Sequence, residues 1–122
     1  LGDVYKRQDS DRDKVKLTVE EALSEIKHLN SKGFSATIDI LGEHTENIDL
    51  ARDITRQYCD LYEQIENNAL DSTISVKPTH IGLSISKTEA VSNMLSILQR
   101  AKEFGNFLRI SLQEIFTLRL EN

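Results

Sequence analysis

Two short apolar runs, each closing on a charged residue with glycine nearby, constrain this chain more than any other feature. They are Ser35-Ala36-Thr37-Ile38-Asp39-Ile40-Leu41-Gly42-Glu43 and Ile74-Ser75-Val76-Lys77-Pro78-Thr79-His80-Ile81-Gly82-Leu83. Runs this short and this rich in β-branched residues read as buried strands emptying into polar, tightly turning loops. A charge at the exit of a buried strand is costly unless it meets a partner or a ligand. In α/β folds the carboxyl ends of parallel strands are where ligands bind. Chemistry therefore belongs at Glu43, at Lys77 and at the end of a third strand near Arg109.

Helical patterns separate these runs. Thr18-Val19-Glu20-Glu21 is a capping box, followed by Val19, Ala22, Leu23, Ile26 and Leu29 at helical spacing, with Gly33 as a stop. After a strand over 35–41, Asn47 opens a second helix carrying Ile48, Ala51, Ile54, Tyr58, Leu61 and Ile65 on one face, which gives out at Asn67-Asn68. A strand over 73–77 ends at Pro78, which has no amide to give a ladder. Ser86-Lys87-Thr88-Glu89 is a second capping box, and Ala90, Val91, Met94, Leu95, Leu98 and Ala101 line a third helix ending at Gly105. Phe107 to Ile110 form a third strand.

The alternation αβαβαβ predicts parallel strands joined by right-handed crossovers. Strand centres Ile38, Val76 and Leu108 lie 38 and 32 residues apart. An eight-fold barrel uses roughly 31 residues per βα unit, so the spacing fits, although a doubly wound sheet gives similar values. No Gly-x-Gly-x-x-Gly follows a strand and no Gly-Lys-Ser/Thr loop occurs, which speaks against dinucleotide and P-loop readings. Three strands cannot close a barrel, and an open parallel sheet of that size leaves edges and apolar faces bare. The sequence reads as cut from something larger.

The 122 residues carry a formal charge of −5 and no basic patch interleaved with aromatics, which argues against nucleic acid as a partner. No run is long enough to span a bilayer and no secretory pattern is visible, so a cytoplasmic protein is expected. Cys59 is the sole cysteine and reads as a packing residue in a reducing compartment. His28, His44 and His80 lack metal-ligand spacing; His28 is expected at a helix surface and His80 in a solvated loop. Residues 1–8 resemble the translation of a sequencing-library adapter and are set aside as a cloning or assembly scar, with a disordered natural terminus as the alternative. Residues 9–16 read as a polar leader.

These residues resemble a known family. The stretch from Leu29-Asn30-Ser31-Lys32-Gly33 to Asp39-Ile40-Leu41-Gly42-Glu43 is similar to a segment of bacterial single-function proline dehydrogenases. Ile74-Ser75-Val76-Lys77-Pro78-Thr79 with Gly82-Leu83 resembles that family's Ser-Val-Lys-x-Thr…Gly-Leu element, and Phe107-Leu108-Arg109-Ile110 resembles the start of its Arg-Ile-Asp-Met-Glu strand. The resemblance covers residues 17–110 and implies about three βα units of a partial (β/α)8 barrel. It further implies an FAD-dependent enzyme oxidising L-proline to pyrroline-5-carboxylate, with electrons passing to a membrane quinone and a possible peripheral association with the inner membrane. Lys77 then falls on the lysine that pairs with the proline carboxylate, and Glu43 on a glutamate at the mouth of the site that pairs with a late arginine. Where the family continues Asp-Met-Glu, this chain has Ser111-Leu112-Gln113, so the aspartate beside the flavin is absent. Residues 111–122 are atypical and suggest a shift of reading frame near Ile110. The resemblance leaves the chain without catalytic or FAD-binding residues of its own, and thus an inactive piece of the enzyme.

Plainer readings stand beside these. A strand-end lysine more often snorkels than binds a ligand, and Glu43 could cap the next turn. Asp39 reads as structural support inside the sheet, and Arg109 as a strand arginine paired with a carboxylate, with a ligand phosphate as the other choice. Met94 and Phe104 belong to the core. The rival to the enzyme is a small stand-alone α/β binding or interaction module without redox activity. A third reading, an aldolase using Lys77 as a Schiff base, is not singled out by Lys77-Pro78-Thr79.

Overall fold

The structure, a computed structural model, describes residues 4–6, 15–40 and 45–110, with side chains described within 17–40 and 45–110. Eight regular elements follow in order: β1 (Val4–Lys6), β2 (Val15–Leu17), α1 (Val19–Ser31), β3 (Ala36–Ile40), α2 (Ile48–Asn67), β4 (Ser72–Val76), α3 (Lys87–Glu103) and β5 (Leu108–Ile110). A four-residue 3-10 turn, Pro78–Ile81, leaves β4.

Local chemistry sets the helix starts. The Thr18 hydroxyl accepts from the Glu21 amide at 3.2 Å, and the Glu21 carboxylate accepts from the Thr18 amide at 3.1 Å, the reciprocal box read from sequence. Asn47 caps α2 by accepting from the Asp49 and Leu50 amides. At α3 only half of the predicted box forms. The Ser86 hydroxyl accepts from the Glu89 amide, while the Glu89 carboxylate pairs across helices with Arg52 of α2. A guanidinium on the neighbouring helix competes well for a carboxylate, because charge-assisted bonds are the stronger ones.

The sheet order is β2-β1-β3-β4-β5. Strands β3, β4 and β5 run parallel, as the alternation predicts, with Ile38 beside Ile74 and Ile74 beside Leu108. The segment set aside above supplies β1, which pairs antiparallel with both β2 and β3. Val4 and Tyr5 are good strand formers, and they meet the open hydrogen-bonding edge of β3.

Both parallel crossovers step the same way, from β3 to β4 to β5, so right-handedness places α2 and α3 on one side of the sheet. Burial agrees with this. Ile38, Ile40, Ile74 and Val76 share one core with Ile26 of α1, Ile54, Tyr58, Leu61 and Ile65 of α2, and Ile97 of α3. Spacing alone left a doubly wound sheet open; one-sided helices and sequential strands are the arrangement of a barrel wall.

The third helix sits in a different phase from the predicted one. Its buried line is Ala90, Asn93, Ile97 and Ala101. Val91, Leu95 and Leu98 are instead 51%, 60% and 40% exposed. The Asn93 amide donates to the Ile81 carbonyl at 2.9 Å, which turns this polar residue inward and rolls part of the apolar stripe out. Met94 and Phe104 do pack against the core.

Candidate active site

Strand alternation sends Thr37 and Asp39 of β3, Thr73 and Ser75 of β4, and Arg109 of β5 to the face opposite the buried Ile38, Ile74 and Val76. Register makes rows of them: Thr37 beside Thr73, and Asp39 beside Ser75 beside Arg109. The Thr37 and Thr73 hydroxyls are 3.1 Å apart, and Arg109 Nε donates to the Thr73 hydroxyl at 3.3 Å. A carboxylate partner was expected for Arg109; a cross-strand hydroxyl takes that place. One face of the sheet is thus core and the other is polar.

Lys77 stands at the carboxyl end of β4, the middle parallel strand, half-buried and at the N-cap of the 3-10 turn. Its location matches the strand-exit position read from sequence. Glu43 and His44 lie outside the described residues, so Lys77 is the one predicted substrate contact with a described position.

The turn beyond Lys77 is densely bonded. The Lys77 carbonyl accepts from the His80 amide at 2.9 Å, and the Pro78 carbonyl from the Leu83 amide at 3.1 Å. The Thr79 carbonyl accepts from the Thr45 amide at 3.0 Å, and the Ile81 carbonyl from Asn93 of α3. The Thr45 hydroxyl makes a longer bond, 3.4 Å, to the His80 carbonyl. Gly82 closes the turn at φ +107°, where a β-carbon would meet Ala51 at 3.5 Å and side chains would be strained.

His80 corrects the expectation of a solvated loop residue. It is 3% exposed, and its Nδ1 lies 3.2 Å from the Tyr58 hydroxyl of α2, ring edge to ring face. In the sequence Tyr58 belongs to an apolar helix stripe. The signal for this pair was weak: a tyrosine on an otherwise aliphatic helix face needs somewhere for its hydroxyl to go. His28 is exposed, as expected. Cys59 is half-buried, and burial pushes its thiol above the ordinary value, consistent with a packing role. Among the described residues no group of three His, Cys, Asp or Glu could hold a metal ion. No helix among them is long and apolar enough to cross a membrane.

The chain is similar to parts of known proteins. The chain is 33% identical over 97 residues to "Proline dehydrogenase 1" of Bacillus subtilis subsp. natto, a match covering 80% of this chain and 32% of that protein. It is 34% identical over 89 residues to "Proline dehydrogenase 2" of Bacillus subtilis strain 168, covering 73% of this chain and 29% of that one. Over that stretch the chain is similar to the proline dehydrogenases. It spans about a third of the length of the curated relatives it matches. No protein-family model matches. A solved structure of proline utilization A from Bdellovibrio bacteriovorus, inactivated by N-propargylglycine, shares the fold at a TM-score of 0.65 and 21% identity, covering 75% of this chain and 12% of that one.

The described residues do not make a complete flavin site. A lysine ammonium at a strand exit matches a small carboxylate. The described glycines make no phosphate cradle: Gly33 and Gly105 follow helix ends, and Gly82 is packed against α2. These residues do not by themselves fit an FAD.

Proposed function

We propose that this chain is a section of an FAD-dependent proline dehydrogenase, which oxidises L-proline to pyrroline-5-carboxylate and passes electrons to a quinone. In this reading the strands β3, β4 and β5 are part of the barrel wall, their polar face turned toward the barrel interior. Lys77 holds the substrate carboxylate, and Glu43 sits at the mouth of the site. The observation that carries the reading is the place of Lys77: the carboxyl end of the central parallel strand, in a chain similar over 97 residues to proline dehydrogenases. The flavin is bound by residues beyond this section, so the 122 residues alone bind no FAD and oxidise no proline. The intact enzyme works in the cytoplasm, at or near the inner membrane where quinone is available.

The experiment is a Lys77→Ala substitution in the full-length gene product. Loss of one charge-assisted contact predicts a rise in KM for proline on the order of 10- to 100-fold, with the flavin spectrum retained. An unchanged KM removes Lys77 from the site, and a purified parent protein with no flavin absorbance removes the enzyme reading. The rival, a stand-alone binding module, draws support from β1 and β2, which cover the β3 edge. The open apolar side of α3 weighs against it, since a module that folds alone would gain by covering that side.

A further inference from the structure

We infer that Tyr58, His80 and Thr45 form a buried clamp that positions Lys77 for its ligand. The inference rests on the proposed role of Lys77 and deepens it. All three clamp residues are buried, at 1%, 3% and 5% exposure, in a core otherwise made largely of isoleucine, alanine and valine. Polar side chains are placed there at a desolvation cost and remain only where hydrogen bonds offset it.

The clamp works on the backbone around Lys77. The His80 amide ties back to the Lys77 carbonyl at 2.9 Å, closing the turn directly behind the lysine. The Tyr58 hydroxyl, 3.2 Å from His80 Nδ1, anchors that turn to the middle of α2. Thr45 grips it from the other side, with its amide on the Thr79 carbonyl and its hydroxyl on the His80 carbonyl. A flexible four-carbon lysine stem gains precision only if its Cα is held, because each unfixed degree of freedom must be frozen when ligand binds. Tyr58, His80 and Thr45 are thus positioning residues, acting through Lys77 without touching substrate.

The test is a double-mutant cycle in the full-length enzyme, with L-proline as the probe and Tyr58→Phe, Lys77→Ala and their combination as variants. Tyr58→Phe alone is expected to raise KM about 3- to 10-fold, the range for one hydrogen bond, with kcat changed less than twofold. In the Lys77→Ala background it should add nothing, because the group it positions is gone. Amide exchange at His80 is the second readout and should quicken in Tyr58→Phe; Thr45→Val should reproduce both effects. Multiplicative KM effects, or His80 exchange unchanged in both clamp variants, overturn the clamp while leaving Lys77 in place. An unchanged KM in Lys77→Ala overturns the reading of Lys77 itself, and the clamp's purpose with it.

Discussion

The outer side of α3 offers a quantitative test of whether this chain is part of a larger barrel. Val91, Leu95 and Leu98 are 51%, 60% and 40% exposed and lie on one side of the helix. Together they expose the equivalent of about one and a half apolar side chains, so covering them is worth roughly 2–4 kcal/mol. Replacing Leu95 and Leu98 by glutamate keeps helix propensity nearly constant, so the effect reports on cover rather than on the helix. If the chain is part of a larger barrel, a neighbouring helix covers this side in the full-length protein, and two carboxylates would be forced against it. The lost burial and added desolvation predict a destabilisation of about 3 kcal/mol or more, read as a fall in Tm of roughly 5–10 °C. In the isolated 122-residue chain the same pair should do the opposite: sedimentation velocity should show less self-association, with far-UV circular dichroism unchanged. A full-length protein whose melt is indifferent to both substitutions refutes the reasoning, because this side of α3 would then face water in the intact molecule.

Two further outcomes can be read in the chain carrying Leu95→Glu and Leu98→Glu. The Tyr62 hydroxyl donates to the Phe107 carbonyl at 2.6 Å, and burial holds its ionisation well above the ordinary value of 10.0. A raised folded-state pKa means its contribution is intact below that value and is lost as pH rises above it. In urea titrations Tyr62→Phe should therefore cost ~1 kcal/mol at pH 7, and the difference should vanish about one unit above pH 10; a gap that stays flat to pH 11 defeats the assignment. Burial raises the Cys59 pKa more than the nearby Arg100 charge lowers it. Alkylation at pH 8 should then be at least ~10-fold slower folded than in urea, and equal rates would show that the thiol is open.

Where structure follows from neighbours in sequence, it was legible. The Thr18 cap, the Asn47 start of α2 and the three parallel strands depend on local propensity and period, and each lies within a residue or two of its predicted place. The phase of α3 was not legible, because a stripe read from hydropathy ranks Leu95 above Asn93. What turns Asn93 inward is the Ile81 carbonyl, which comes from a turn whose shape the helix sequence does not encode. His80 was misplaced for the same reason. Its neighbours describe a polar turn, while its burial comes from Tyr58, 22 positions away, and its carbonyl's partner Thr45 lies 35 away.

The family resemblance also divides in two once its atoms are placed. Its first half is architecture: the Asn30 amide donates to the Phe34 and Asp71 carbonyls at 2.8 and 3.1 Å and accepts from the Asp71 amide at 2.8 Å. Those bonds tie together the entries to β3 and β4, the amino ends of the strands, the face of such folds that serves stability rather than catalysis. Gly33, at φ +88°, lets the chain leave α1 for β3. The second half, the separate element over residues 74–83, holds Lys77 at the carboxyl end of β4. Asn30→Ala should therefore lower stability through three lost hydrogen bonds and leave KM for proline untouched in whatever enzyme folds, whereas Lys77→Ala should move KM and spare the melt. Resemblance alone ranks these residues equally; the direction of the strands separates them.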